Sequence, residues 1–318
     1  MGGDFAPLET VLGAAEASSR GVDVVLVGDT GAIRPLLDRH GIDLDVVHAP
    51  EIVEMGEDPA RAIRQKPGAS VTVAARLVAD GEARGMVSAG STGAALAAAT
   101  LVVGRIRGIS RPAIATIFPL GGGTVLLDAG ANVEVQPRHL VQFAVMGSVL
   151  ARVYLGITDP RVGLLNIGEE ASKGRDLERR THGLLVGSSI RFVGNVEGRD
   201  LGRGVADVIV TDGFTGNVVL KVAEGTARSV GEMVLEALAD DTDAELQAAA
   251  GAVLPRLLAL RQRLDPEEYG GAHLVGAKGT VVIAHGTSSR RAVANALVFA
   301  AEGADQGLVD MVESGIRG

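Results

Sequence analysis

One pattern recurs along the chain: a short apolar run, then glycine with a small polar residue, then a stretch of helix-forming sequence. The runs at residues 22–27, 86–89, 124–127, 161–165, 192–193, 208–210 and 280–284 follow it. They lead into Gly28-Asp29-Thr30-Gly31, Gly90-Ser91-Thr92-Gly93, Asp128-Ala129-Gly130-Ala131-Asn132, Asn166-Ile167-Gly168, Gly194-Asn195, Thr211-Asp212-Gly213-Phe214-Thr215-Gly216-Asn217 and His285-Gly286-Thr287-Ser288-Ser289. Near-continuous apolar runs, as opposed to alternating ones, mark strands covered on both faces. The intervals at residues 69–80 and 137–155 are long enough for crossover helices. Alternating β and α predicts a mostly parallel sheet with helices on both faces, an α/β/α sandwich over residues 1–318 as one domain.

Sheets of this class do their chemistry in the crevice at the carboxyl ends of the strands. That is where Gly, Ser, Thr, Asn and Asp gather in this chain. Each type is also favoured in turns and helix caps for purely structural reasons. A single junction therefore decides little, and the set together predicts a polar, anion-friendly cleft.

Residues 216–265 depart from the pattern, with helix-forming sequence and no strand signal. The acidic stretch Asp240-Asp241-Thr242-Asp243-Ala244-Glu245 divides them into a predicted helical hairpin. Its second helix carries Leu254, Leu257, Leu258, Leu260 and Leu264 with Arg256, Arg261 and Arg263, and Pro255 interrupts it. A leucine face flanked by arginine suits an anionic lipid surface, and packing in a dimer or a core is the alternative.

Composition narrows the chemistry. The chain has 318 residues, 47% of them hydrophobic, enough for a sizeable core. It has 44 glycines and only 3% aromatics, which points to many tight turns and close backbone approaches. Cysteine is absent, so disulfides and acyl-cysteine intermediates are excluded, in keeping with a reducing cytoplasm. A net charge of −9 without a basic stripe argues against nucleic acid as a partner. No apolar run reaches about 18 residues, and Met1-Gly2-Gly3-Asp4 lacks the features of a secretory signal. The expectation is a cytoplasmic globular protein.

Several familiar signatures are missing. There is no G-x-G-x-x-G, and in Gly168-Glu169-Glu170-Ala171-Ser172-Lys173-Gly174 the lysine precedes the second glycine, so a Walker loop fails. No G-x-S-x-G elbow occurs, and the six histidines have no metal-ligand spacing, so neither a metal nor a cofactor is expected. On the positive side, Gly90, Ser91, Thr92 and Gly93 open an alanine-rich helix whose free N–H groups and positive end suit phosphate. Thr215-Gly216-Asn217 opens another helix, a second candidate for an anion or a carbonyl. Lys173 follows a strand, where one cation can polarise a carbonyl or hold phosphate; a solvated surface lysine is the alternative. Asn132 and Asp212 stand at two further junctions and complete the candidate substrate-binding set.

Seven segments in order, from Met1-Gly2-Gly3-Asp4 through Gly90-Ser91-Thr92-Gly93-Ala94, Leu127-Asp128-Ala129-Gly130-Ala131-Asn132, the 166–174 segment, Gly194-Asn195-Val196-Glu197-Gly198 and the 211–217 segment to Ala284-His285-Gly286, resemble the PlsX family, the phosphate acyltransferases of phospholipid synthesis. The resemblance implies a homodimer with a fold like the isocitrate and isopropylmalate dehydrogenases and phosphotransacetylase. It also implies the reaction of acyl-ACP (acyl carrier protein) with inorganic phosphate, peripheral membrane association through the hairpin, and Lys173 with Asn217 as the catalytic pair. Members usually begin with a strand of the type I-A-V-D-A before M-G-G-D; this chain starts within that segment, so the expectation is a misassigned start and a sheet short of one strand. Phe5 stands where the family often has histidine, which argues against an essential acid–base role there.

A thioester is already activated and phosphate is a competent nucleophile, so the protein need only hold a dianion beside the acyl carbon and stabilise the oxyanion. Phosphate is expected on the N–H groups of residues 90–93, with Lys173 offsetting charge and Asn217 donating to the carbonyl. His285 can protonate the leaving thiolate or merely hold a turn, and the turn is favoured. The acidic carrier protein can be received by Arg105, Arg107 and Arg111 or by Arg175, Arg179 and Arg180, and for either cluster an ordinary solvated surface is the alternative. The alternatives are a phosphotransacetylase acting on acyl-CoA, a decarboxylating dehydrogenase on the related fold, and a non-catalytic membrane scaffold for lipid enzymes.

Overall fold

The computed structural model describes residues 1–118, 123–239, 244–263 and 265–317. Ten strands run in the order β1 (Val25–Gly28), β2 (Asp45–His48), β3 (Gly85–Ser88), β4 (Ala113–Phe118), β5 (Thr124–Leu127), β6 (Val162–Asn166), β7 (Phe192–Glu197), β8 (Val208–Val210), β9 (Ala272–Val275) and β10 (Thr280–Ile283). The principal sheet has eight of them, ordered β3-β10-β9-β4-β5-β8-β6-β7. Its two flanks are parallel, and among the described residues only the central β10–β9, β9–β4 and β4–β5 pairs of strands are antiparallel. As a result β3, β10 and β4 point one way and β9, β5, β8, β6 and β7 the other.

The alternation of side chains through the sheet makes the three layers. Val125 and Leu127 of β5, and Val208 and Val210 of β8, enter a core under α6 (Pro137–Leu155), while Leu126 and Ile209 enter one on the opposite face. Val281 and Ile283 of β10 pack with α4 (Ser70–Ala79) and α5 (Thr92–Ala98), and Val282 with α10 (Arg290–Asp305). Both faces of every such strand are dry, which is why their sequences read as unbroken apolar runs. The sequence reading of an α/β/α sandwich therefore holds. β2, β4 and β9 are additional to the seven expected strands.

At the amino end, α1 (Leu8–Ser19) and α2 (Thr30–His40) pack on β1 and β2 around a small core of Val11, Ala14, Leu26, Ile33 and Leu37. These two strands form a separate parallel pair. Between β1 and β3 lies a cavity of about 890 Å³, lined in part by Leu26, Val27, Met86, Val87 and Leu297. Among the described residues neither strand has a partner on that side.

The hairpin is formed by α8 (Gly213–Ala239) and α9 (Ala244–Arg263), which runs through Pro255. Asp240, Asp241, Thr242 and Asp243 of the acidic divider, and Leu264, lie outside the described residues, as do the side chains of Arg261 and Arg263. Val222, Met233, Leu254, Leu258 and Leu260 are exposed on the hairpin. Among the described residues no helix is long and apolar enough to cross a membrane.

Candidate functional site

Asp128, directly after β5, organises the centre of the site. It is fully buried, and its Oδ1 accepts from the backbone N–H groups of Ile114, Gly130 and Ala131 at 3.1, 3.0 and 2.9 Å. Its Oδ2 accepts from Asn132 N and Nδ2, both at 2.8 Å. Burial pushes the Asp128 carboxyl up, against the pull of these donors. The loop from Gly130 to Asn132 is thereby wrapped around one carboxylate. Asn132 Nδ2 also donates to Pro112 O at 2.8 Å, which fastens the loop to the start of β4.

The first turn of α8 stands against this loop. Gly213 N donates to Asn132 O at 2.8 Å, and a β-carbon built on Gly130 would lie 3.6 Å from the Asn217 side chain. Gly216 is packed so tightly on Asp128 that a β-carbon there would be 1.9 Å from the Asp128 carbonyl oxygen. Asp212 caps the helix, accepting from Thr215 N and Thr215 Oγ1, each at 2.8 Å. Burial tends to raise the Asp212 pKa, yet the Thr215 and Arg175 donors outweigh it and hold the carboxyl below the usual range.

Arg175 carries the connection to Lys173. Its Nη2 donates to Asp212 Oδ2 at 2.6 Å, and its side chain also grips Glu178. Two residues earlier, the Lys173 backbone is held by Asn166 Nδ2 on its carbonyl (3.2 Å) and by its own N–H on Glu170 O (3.0 Å). Gly174 between them has φ +89°, and a β-carbon there would be 2.6 Å from Asn166 Oδ1, so the turn that separates Lys173 from Arg175 needs glycine. The Lys173 and Asn217 side chains are both exposed, and no ion pair engages Lys173 among the described residues. One clamp thus ties together the two segments that carry the expected catalytic pair.

The 90–93 loop is arranged differently. The sheet register aligns Val87, Val282, His273, Ala115 and Leu127 in one row, and β3 runs opposite to β5. Gly90, Ser91, Thr92 and Gly93 leave that row in one direction, and Asp128 to Asn132 in the other. Ser91 caps α5, accepting from Ala94 N at 3.3 Å, and Gly90 lies against Gly2. Among the described residues no hydrogen bond or ion pair joins this loop to Lys173 or Asn217. The link runs over the sheet face: Ala94 and Ala95 share an apolar cluster with Ala129, Ala131 and Leu220 of α8. Four residues, about 6 Å of helix, separate Asn217 from Lys221, whose charge reaches His285. Gly286 next to His285 accepts from Asp4 N at 2.8 Å, and Gly3 lies against both Gly286 and Ala89.

His285 has its pKa pushed down by burial, with Lys221 adding to the effect, so the imidazole is neutral at neutral pH and is no ready proton donor to a thiolate. Sequence reasoning passed over Asp128 and the Arg175–Asp212 clamp as site-building groups. The signal for Asp128 was the order Asp-x-Gly-x-Asn after a buried strand, in which one carboxylate can gather successive N–H groups. The clamp had no local signal, because its partners are 37 residues apart.

A family model described as fatty acid synthesis protein matches residues 1–311. The phosphate acyltransferase of Heliobacterium modesticaldum is 49% identical over 324 residues, covering 100% of this chain and 96% of that protein. The phosphate acyltransferase of a Synechocystis species is 48% identical over 315 residues, with coverage of 96% and 89%. Among solved structures, a phosphotransacetylase from Streptococcus pyogenes has a TM-score of 0.65 at 17% identity, covering 95% of this chain and 92% of that one. EutD phosphotransacetylase from Staphylococcus aureus gives 0.58 at 17% identity, covering 93% and 91%. At such identities the structural likeness concerns the fold, whereas the family model and the relatives span nearly the whole sequence. The chain belongs to the PlsX family of phosphate acyltransferases.

Proposed function

We propose that this protein moves a long-chain acyl group from acyl carrier protein to inorganic phosphate, making an acyl-phosphate for phospholipid synthesis. The observation that carries the reading is the 2.6 Å Arg175–Asp212 bond, which locks the Lys173 turn to the capped helix bearing Asn217. The segments that carry an exposed ammonium and an exposed amide are so tied together, in a chain without cysteine. A phosphate oxygen attacks the thioester carbon, the tetrahedral oxyanion collapses, and the carbon–sulfur bond breaks to release the carrier's thiolate. Lys173 offsets the anionic charge, and the Asn217 amide donates to the carbonyl oxygen as it becomes an oxyanion. Asn132 and Asp212 bind through the geometry they impose, since Asp212 spends both oxygens on Thr215 and Arg175. Gly90, Ser91, Thr92 and Gly93 are the loop proposed to deliver phosphate to this carbon, and their connection to Asn217 runs through α8 and His285.

Lys173→Ala and Asn217→Ala, each checked for folding by circular dichroism, test this directly. Phosphorolysis of palmitoyl-ACP, with the product trapped by hydroxylamine, should fall about 10²–10³-fold for Asn217→Ala, the usual loss for one oxyanion donor. Wild-type rates in both variants would remove the pair from the mechanism. The likeness in fold to phosphotransacetylases favours one second reading, an acyl-CoA substrate, which a comparison of acetyl-CoA with palmitoyl-ACP separates. The remaining parts of the proposal are a homodimer and peripheral attachment of a cytoplasmic protein to the membrane. The exposed apolar residues of α8 and α9 support both.

A further inference from the structure

The two arginine groups that the sequence offers to an acidic partner have different fates in the fold. Arg175 is bound to Glu178 and Asp212, and Arg179 and Arg180 both reach Asp176. Those charges are neutralised within the protein. Arg105, Arg107 and Arg111 are exposed, and among the described residues no ion pair engages any of them.

Their loop is tied to the start of α6. Arg105 Nη1 donates to Ser110 O at 2.6 Å, Ser110 N to Gln142 Oε1 at 3.0 Å, and Gln142 Nε2 to Gly108 O at 2.8 Å. Gln142 follows Arg138 by one helical turn, so Arg138, also exposed and without an ion pair among the described residues, shares that face. Burial lowers the pKa of His139, and the charges of Arg138 and Arg111 lower it further, as expected where both crowd one imidazole. Lys278 is a fifth exposed cation, its N–H donating to Gly104 O beside Arg105 at 2.9 Å. Glu134 is an exposed acid in the adjoining loop. Like charges gathered in this way repel one another and contribute nothing to folding.

The patch adjoins the candidate site. Arg111 precedes Pro112, whose carbonyl oxygen accepts from Asn132 Nδ2. Val133, 67% exposed, is the next residue along the same loop. An acidic carrier approaching a protein of net charge −9 is repelled at long range, so productive encounter needs a local region of opposite sign.

We infer that the face formed by Arg105, Arg107, Arg111 and Arg138 receives the acidic surface of acyl carrier protein, with the acyl-bearing arm entering past Val133 toward Asn132 and Asn217. This rests on the acyl-transfer reading above. The test is the double reversal Arg111→Glu with Arg138→Glu in the full-length protein, with Arg34→Glu plus Arg39→Glu, both exposed on α2, as the control and circular dichroism for folding. Binding of palmitoyl-ACP, read by fluorescence anisotropy, should weaken about tenfold or more in the first variant. It should stay at the wild-type value in the control. Turnover of a carrier-free thioester, octanoyl-pantetheine, should be equal in all three proteins. Unchanged ACP binding in the double reversal overturns the inference, as does loss of binding to phosphatidylglycerol vesicles with ACP binding intact, which would assign the face to lipid. A wild-type protein that binds palmitoyl-ACP at this face yet forms no acyl-phosphate would instead sink the acyl-transfer reading and leave the docking face standing. Where the reversals unfold the chain, Arg111→Gln with Arg138→Gln serves, and it should weaken ACP binding in the same direction.

Discussion

The contact between Gly216 and Asp128 sets a quantitative test of how Asn217 is positioned. In Gly216→Ala the new β-carbon would begin 1.9 Å from the Asp128 carbonyl oxygen, with the carbonyl carbon at 3.0 Å. Relaxed carbon–oxygen contacts lie at about 3.3 Å or more. The first turn of α8 must therefore retreat by about 1.4 Å, since the opposing atom is backbone held by a buried loop. A misplacement of about 1 Å can cost about 10²-fold in rate, and overpacking about 1–3 kcal/mol in stability. The expected result is a fall of about two orders of magnitude in kcat for palmitoyl-ACP phosphorolysis, with a modest drop in melting temperature. Gly225→Ala on the same helix is the companion, because nothing lies within 4 Å of its added carbon. It should keep the wild-type rate and gain about 0.5–1 kcal/mol from helix propensity. If Gly216→Ala turned over palmitoyl-ACP within about threefold of wild type, the Asp128 carbonyl would not be what fixes Asn217.

Three other outcomes follow from the same geometry. Because the Asp212 pKa is lowered on folding, its contribution to stability is complete above about pH 4 and drains away as pH falls through the lowered value. Asp212→Asn should therefore melt lower than wild type near neutrality and show a shallower loss on acidification; parallel melting-temperature profiles for the two proteins would contradict this. Tyr154 Oη meets His273 Nε2 at 2.6 Å and donates to Phe299 O at 2.9 Å, while burial holds His273 down to about 3 and so neutral. Tyr154→Phe should cost about 1–3 kcal/mol in urea denaturation and leave kcat alone. Leu257→Asp with Leu258→Asp should abolish flotation with anionic liposomes while the proposed dimer, followed by light scattering, persists; retained flotation would turn the hairpin's apolar surface over to another role.

The fold was legible where burial is two-sided. Residues 124–127 and 208–210 are wholly apolar or nearly so, and both became strands with the predicted bounds, as did the helix over 137–155. β9 escaped because Ala272-His273-Leu274-Val275 contains a histidine, which reads as a break until Tyr154 is seen to satisfy it. β2 escaped because Asp45 and His48 bracket only two valines on a half-exposed edge. In the site, the short-range motifs revealed which turns carry polar groups, and they could not show direction. The antiparallel centre of the sheet sends the 90–93 loop and the 128–132 loop off opposite ends of the strands, a fact that depends on the long-range pairing of β4 with β9, Ala113 beside Val275.

The separate β1–β2 pair has a dynamic consequence. Among the described residues no strand ladder joins it to β3, so the amino-terminal lobe is held to the rest chiefly by α1 on α10, with Arg290 gripping Glu9 at 2.8 Å, and by isolated backbone bonds such as Asp4 N to Gly286 O. A unit attached in that way can open without breaking one hydrogen bond of the eight-stranded sheet, and such units exchange their amide protons well before the global core does. The amides of β1 should accordingly lose protection ahead of those of β8. Since Gly2 rests directly on Gly90, each opening also frees the backbone proposed to cradle phosphate, and anion binding should slow exchange throughout the lobe.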